Sequence, residues 1–224
     1  MKHQPILKLR INEQKPEPCS AAKLTFGFGL AIHTWFGSSV PVTSGGVCEY
    51  ATHDVQYLHA RGVVHGDLKG NNIVVGSDMK AKLTDFGLSS SSESEGSSPI
   101  SGAWHWAAPE CLIDKETEQA RARPTFEFDV YSLGMCVLEA MRVFEAARSG
   151  KPSRVCLPWG ILANPVVKYH ASHGKLPRIP ECTADQWELV RRMCSWNPKE
   201  RIKISTVVDE LETGEDDNRH DYPG

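Results

Sequence analysis

The sequence has no excess of basic residues, no long apolar run and no paired-cysteine pattern, and each absence removes a class of function. Lys and Arg total 25 against 28 Asp and Glu, a net charge of −3. No basic field is available to hold a phosphate backbone, so nucleic acid is not expected as the main partner. The most apolar stretch, from Leu24 to Val42, is interrupted by His33 and by several Gly, Pro and Ser residues. Its runs are too short to cross a bilayer, and no membrane segment is expected. The opening MKHQPILKLRINEQ has no continuous apolar core, which speaks against a secretory signal and makes cytoplasm or nucleus the expected location. Seven cysteines, at 19, 48, 111, 136, 156, 182 and 194, form no CxxC pair and read as reduced packing thiols rather than disulfides or metal ligands. What is present is a globular composition, 40% hydrophobic and 24% charged over 224 residues, enough to bury a sizeable core.

Residues 1–45 are poorly patterned. A short alternating run (Leu7, Leu9, Ile11) suggests one strand, and Gly27-Phe28-Gly29 is read as a turn, because Ile32 stands where a phosphate-binding loop would need a third glycine. From Val47 the pattern becomes helical through Ala51, Val55 and Leu58, with Gly62 as the stop. Short β-like pieces follow at 63–64, 73–75 and 81–84, expected as small hairpins. Residues 89–98, SSSSESEGSS, carry no apolar side chain and are expected to form a loop. Three further helices are marked by Val130, Leu133, Val137, Leu138 and Met141, by Trp187, Val190 and Met193, and by Val207, Val208 and Leu211. The acidic tail, 213–224, is expected to fray.

The chemistry concentrates in one polar octet, His65-Gly66-Asp67-Leu68-Lys69-Gly70-Asn71-Asn72, flanked on both sides by apolar strands. Asp67, Lys69 and Asn72 then share a loop held at both ends, an arrangement suited to phosphoryl transfer, which needs positioning and charge neutralisation more than covalent chemistry. In that role Asp67 accepts a hydroxyl proton, Lys69 neutralises the migrating group and Asn72 offers its amide oxygen to Mg²⁺. Asp85-Phe86-Gly87 closes the third strand, placing Asp85 as the main Mg²⁺ ligand, with Phe86 expected to fold back into the core.

With these residues in order, the sequence resembles the eukaryotic protein kinase family in its large C-lobe. The octet matches H-R-D-L-x-x-x-N except at Gly66, and Asp85-Phe86-Gly87 matches the magnesium-binding triplet. Trp106-Ala107-Ala108-Pro109-Glu110 resembles the end of the activation segment, and Asp129-Val130-Tyr131-Ser132-Leu133-Gly134 the start of the central helix. Trp196-Asn197-Pro198-Lys199-Glu200-Arg201 resembles the late W-x-P-x-x-R signature.

The resemblance implies an α+β protein-kinase-like fold, mainly helical with small hairpins around the catalytic loop (65–72) and an activation segment at 85–110. The C-lobe would occupy 46–212, between an irregular segment (1–45) and a flexible tail (213–224). It implies ATP and Mg²⁺ as cofactors, a protein Ser/Thr hydroxyl as acceptor, and Val74 and Thr84 lining the nucleotide. It further implies a structural role for His65 and Phe86, a buried Glu110–Arg201 ion pair, and Asp129 bracing the catalytic loop. HGDLK with WxAPE and DVYSLG is most similar to the tyrosine-kinase-like group of serine/threonine kinases. Gly66 makes the pattern non-RD, without the arginine that would meet an activation-segment phosphate. Ala103 stands where the family usually has a threonine bridging the catalytic Asp and Lys.

A complete small lobe would take roughly 65 residues by ordinary element lengths. About 46 precede the first helix, so the N-lobe is expected to be absent or heavily truncated. Two other functions fit parts of the pattern: an inactive kinase-derived binding module, and a small-molecule phosphotransferase of the aminoglycoside or choline kinase type. The second lacks the Ala108-Pro109-Glu110 and Arg201 features found here.

Overall fold

The computed structural model describes residues 47–76, 80–91, 103–113, 123–148, 157–179 and 182–219. The readings made for residues 1–45, for 92–98 of the serine run, and for Cys19 and Cys156 lie outside them. Helix α1 (Val47–His59) buries Cys48, Ala51, Val55 and Leu58 on one face, and the chain reverses at Gly62 with φ 71°. Strand β1 (Val63–Val64) leads into the loop carrying the polar octet, which closes in a short 3-10 turn, Gly70–Asn72. Strands β2 (Ile73–Val75) and β3 (Ala81–Leu83) form the expected antiparallel hairpin, pairing Ile73 with Leu83, Val74 with Lys82 and Val75 with Ala81.

Strand β4 (Ser90–Ser91) corrects the loop reading of the first serines. It pairs antiparallel with β1, Val64 opposite Ser90 and Val63 opposite Ser91. A ladder is built from backbone groups, so a segment with nothing apolar to bury can still close one. Ser89 adds a side-chain bond, donating from Oγ to the His65 carbonyl at 3.1 Å.

The rest is helical. Helix α2 (Pro109–Leu112) is a single turn, and α3 (Phe126–Arg148) is the axis of the fold. Nearly every apolar residue of α3 from Phe128 to Met141 is buried, as expected of a helix surrounded by other elements. Helix α4 (Asn164–Ser172), absent from the sequence reading, starts with Pro165 in its first turn, where a missing N–H costs nothing. Helix α5 (Ala184–Met193) opens with a capping box: Gln186 N–H donates to Thr183 Oγ1 at 3.3 Å, and Thr183 N–H to Gln186 Oε1 at 2.9 Å.

Helix α6 (Ile204–Arg219) runs on past its packed positions through residues 213–219. Once Val207, Val208 and Leu211 are packed, each added residue contributes a backbone bond without a new nucleation cost. Among the described thiols, Cys48, Cys111, Cys136 and Cys194 are buried and Cys182 is half-buried, and all five are unbridged. Burial pushes the Cys111 and Cys194 thiols up to about 12, so they pack as neutral groups. Among the described residues, no helix is long and apolar enough to cross a membrane.

Candidate functional site

The octet loop is held from beneath by the first turn of α3. Asp129, fully buried, accepts the His65 N–H at 2.7 Å through Oδ2 and the Gly66 N–H at 2.9 Å through Oδ1. His59, at the end of α1, places Nε2 3.0 Å from the same Oδ2. A carboxylate at a helix N-terminus is further favoured by the helix dipole. His65 is also fully buried and ties the loop to the hairpin. Its Nε2 stands 3.1 Å from the Thr84 carbonyl and its Nδ1 accepts the Asp67 N–H at 3.3 Å, a pattern that assigns the proton to Nε2.

Gly66 occupies the left-handed region, φ 78°, and a Cβ there would meet the Leu88 carbonyl oxygen at 3.1 Å. A side chain at this position is strained by roughly 1–2 kcal/mol from backbone conformation alone, so glycine suits the local geometry as well as removing the arginine.

On this frame Lys69 Nζ lies 2.5 Å from Asp67 Oδ2. Asn72 Nδ2 donates to the Asp67 carbonyl at 2.8 Å and to Asp67 Oδ2 at 3.1 Å, which turns the amide oxygen of Asn72 to the other side. The Asn72 carbonyl accepts the Thr84 N–H at 2.9 Å and the Thr84 hydroxyl at 3.3 Å. Through this contact Asp85, the next residue, stands beside the loop. The structure thus brings His65, Asp67, Lys69, Asn72, Thr84 and Asp85 together, with Val74 half-buried on β2.

Asp85 is exposed and left-handed, φ 61°, and accepts the Gly87 N–H at 3.4 Å. Phe86 corrects an expectation: it does not fold into the core but remains 39% exposed. The 3-10 turn Phe86–Leu88 lays its ring against His65, centroids 5.1 Å apart.

Away from the loop, Arg201 Nη1 and Nη2 each lie 2.6 Å from an oxygen of Glu110. The guanidinium also donates to the Ser195 carbonyl at 2.8 Å and the Glu127 carbonyl at 3.1 Å, and it faces the Tyr131 ring at 5.1 Å. Ala103 is buried and accepts the Trp106 N–H at 3.1 Å through its carbonyl.

Sequence reasoning missed three polar anchors. His59 is one. Asp54 is another: it accepts the Leu83 N–H at 3.1 Å and joins α1 to the hairpin, and burial raises its carboxyl. The third is Glu139, whose Oε2 accepts the Gly70 N–H at 3.0 Å and the Trp106 indole N–H at 2.8 Å. A lone acid within the apolar run of α3 was the available signal. Burial pushes the Glu139 carboxyl up to about 7, against the two bonds that lower it. A Cβ on Gly70 would lie 2.6 Å from Glu139 Oε2, so Gly70→Ala is expected to displace the carboxylate and lower stability by about 1–3 kcal/mol. Urea unfolding checks this, and an unchanged midpoint would refute the close packing.

The donors left to a cation here are oxygens, the Asp85 carboxylate and the Asn72 amide, which suits a hard ion such as Mg²⁺. Among the described residues no three His, Cys, Asp or Glu side chains converge as a metal cage. A cation at this place would keep water or phosphate oxygens in its remaining positions.

Comparison with known proteins shows the family. The family model "Protein kinase domain" matches residues 47–211. The chain is 26% identical to the serine/threonine/tyrosine-protein kinase HT1 of Arabidopsis thaliana, covering 92% of this chain and 44% of that protein. It is 26% identical to the tyrosine-protein kinase Srms of Mus musculus, over 94% of this chain and 40% of that one. It is 33% identical to the mitogen-activated protein kinase kinase kinase MCK1 of Pyricularia oryzae, over 58% of this chain and 8% of that protein. The chain therefore spans less than half the length of each of these relatives. With the family model covering most of its residues, including the whole octet loop and the Glu110–Arg201 pair, the chain belongs to the eukaryotic protein kinase family.

Proposed function

We propose that residues 46–212 act as the large lobe of a protein kinase that transfers the γ-phosphate of ATP to a serine or threonine hydroxyl of a protein. The observation that carries this reading is the Asp67–Lys69 pair at 2.5 Å with Asn72 bonded to the same carboxylate, next to the exposed Asp85. Mg²⁺·ATP, when bound, supplies the phosphoryl group and the cation that offsets its charge. Asn72 and Asp85 would hold the cation, and Val74 and Thr84 would line the nucleotide.

The Asp67 carboxylate takes the acceptor hydroxyl's proton. Lys69 Nζ keeps that carboxylate oriented and places positive charge beside it. Asp129 and His65 fix the backbone on which both stand. The Glu110–Arg201 pair would secure the end of the activation segment. The serine/threonine preference rests on the similarity of HGDLK, WxAPE and DVYSLG to the tyrosine-kinase-like group.

The test is transfer of ³²P from Mg·[γ-³²P]ATP to a generic protein acceptor, followed by phosphoamino-acid analysis. The wild type is expected to label serine and threonine, and Asp67→Asn to lower the rate by at least about 100-fold. Labelling of tyrosine alone would overturn the preference. A wild-type rate equal to that of the variant would overturn transfer and favour the second reading, a kinase-derived binding module. Ala103 is the observation favouring that module, since it brings no hydroxyl to the Asp67–Lys69 pair.

A further inference from the structure

Two segments distant in sequence converge on one carboxylate oxygen of a third. Glu139 lies within an otherwise apolar stretch of α3, and its Oε2 receives both the Gly70 N–H from the octet loop and the Trp106 indole N–H from the segment before α2. Trp106 is tied to the same helix a second time, because Ser132 Oγ donates to its carbonyl at 2.9 Å. Gly70 follows Lys69 directly, so fixing its N–H fixes the backbone from which Lys69 reaches Asp67. The close approach requires glycine, since a Cβ would lie within 2.7 Å of all three carboxyl atoms of Glu139.

We propose that Glu139 is a positioning residue that couples the octet loop to the Trp106 segment, setting Lys69 relative to the surface where a protein acceptor would lie. The role in transfer rests on the function proposed above; the coupling itself does not. Two donors sharing one oxygen cannot be altered independently, because a change at either repolarises the acceptor and moves the other. The clamp also answers to pH. An ionised carboxylate makes shorter and stronger bonds to both donors than a protonated one, and burial places that change near 7.

Among the described residues, the titratable groups around the clamp are few. Cys136, one turn earlier on α3, senses both Glu139 and Asp67, but burial holds its thiol far above the usual range. In the loop, Asp67 and Lys69 are paired with each other. Beside Trp106, His105 is held towards its neutral form by burial.

The experiment follows the Gly70 amide and the Trp106 indole resonances of the ¹⁵N-labelled full chain from about pH 5 to 9. Both are expected to move in one step with a common midpoint near 7. In Glu139→Gln, which keeps an acceptor oxygen but cannot ionise, that step should vanish from both. Trp106→Phe, which removes the second donor from the shared oxygen, should shift the Gly70 amide. Separate midpoints, a step surviving in Glu139→Gln, or a Gly70 amide indifferent to Trp106→Phe would each overturn the coupling. In the transfer assay, Glu139→Gln should lose the pH dependence of kcat around 7 while keeping KM for Mg·ATP. An unchanged kcat profile alongside altered resonances would refute the role in transfer. Absence of transfer by the wild type would refute the proposed function and leave the resonances to decide the coupling.

Discussion

Asp129→Ala is expected to lower folding stability by about 3–5 kcal/mol, although it removes only one small side chain. The substitution strips the acceptor from two buried backbone N–H groups, those of His65 and Gly66, and an unsatisfied buried donor costs roughly 1–3 kcal/mol. The His59 contact at 3.0 Å is lost as well. Asp129→Asn keeps one acceptor oxygen and should lose less than half as much. Urea unfolding read by far-ultraviolet circular dichroism should show a lower midpoint with an unchanged slope. A loss below about 1 kcal/mol for the alanine variant would mean that water or a neighbouring oxygen replaces the carboxylate.

The second large effect belongs to Arg201. Arg201→Met leaves the Glu110 carboxylate without its partner and frees the Ser195 and Glu127 carbonyls, and the expected cost is about 3–5 kcal/mol. For a chain of this length that is a fall in melting temperature of roughly 10 °C or more. The double variant Glu110→Leu/Arg201→Met removes both charges and should recover about half of the loss, since what penalises the single change is chiefly the stranded charge. Recovery stops there because the two carbonyls remain without a donor. A double variant as unstable as the sum of its singles would show the pair to be uncoupled.

Periodicity made α1, α3, α5 and the start of α6 legible, because each carries an apolar face at helical spacing that the fold does bury. The β2–β3 hairpin was legible from its flanking turn residues. Helix α4 was not, since Val166 and Tyr169 on it are exposed and its apolar positions trace no clean face; Pro165 was the signal that could have marked its start. Ser90 and Ser91 escaped notice because hydrophobic patterning reports side chains and β4 is held through its backbone.

At the site, residues adjacent in sequence could be assigned to one loop, and similarity to a family supplied Asp129, Glu110 and Arg201. The convergence of Gly70 and Trp106 on Glu139 depends on how three segments pack, which no local pattern encodes. Phe86 failed in the opposite direction. A large aromatic is ordinarily a core residue, but the turn it sits in sets it against His65 at the surface.

The brace under the loop has a consequence for how such a chain can change over generations. Asp129 grips amide groups, which every residue except proline possesses, so these two bonds do not depend on which side chains positions 65 and 66 display. A change at Asp129 would release both amides with Asp67 and Lys69 still in place. Part of the loop's shape is therefore recorded about sixty residues away, in the first turn of α3, rather than in Asp67 and Lys69 themselves.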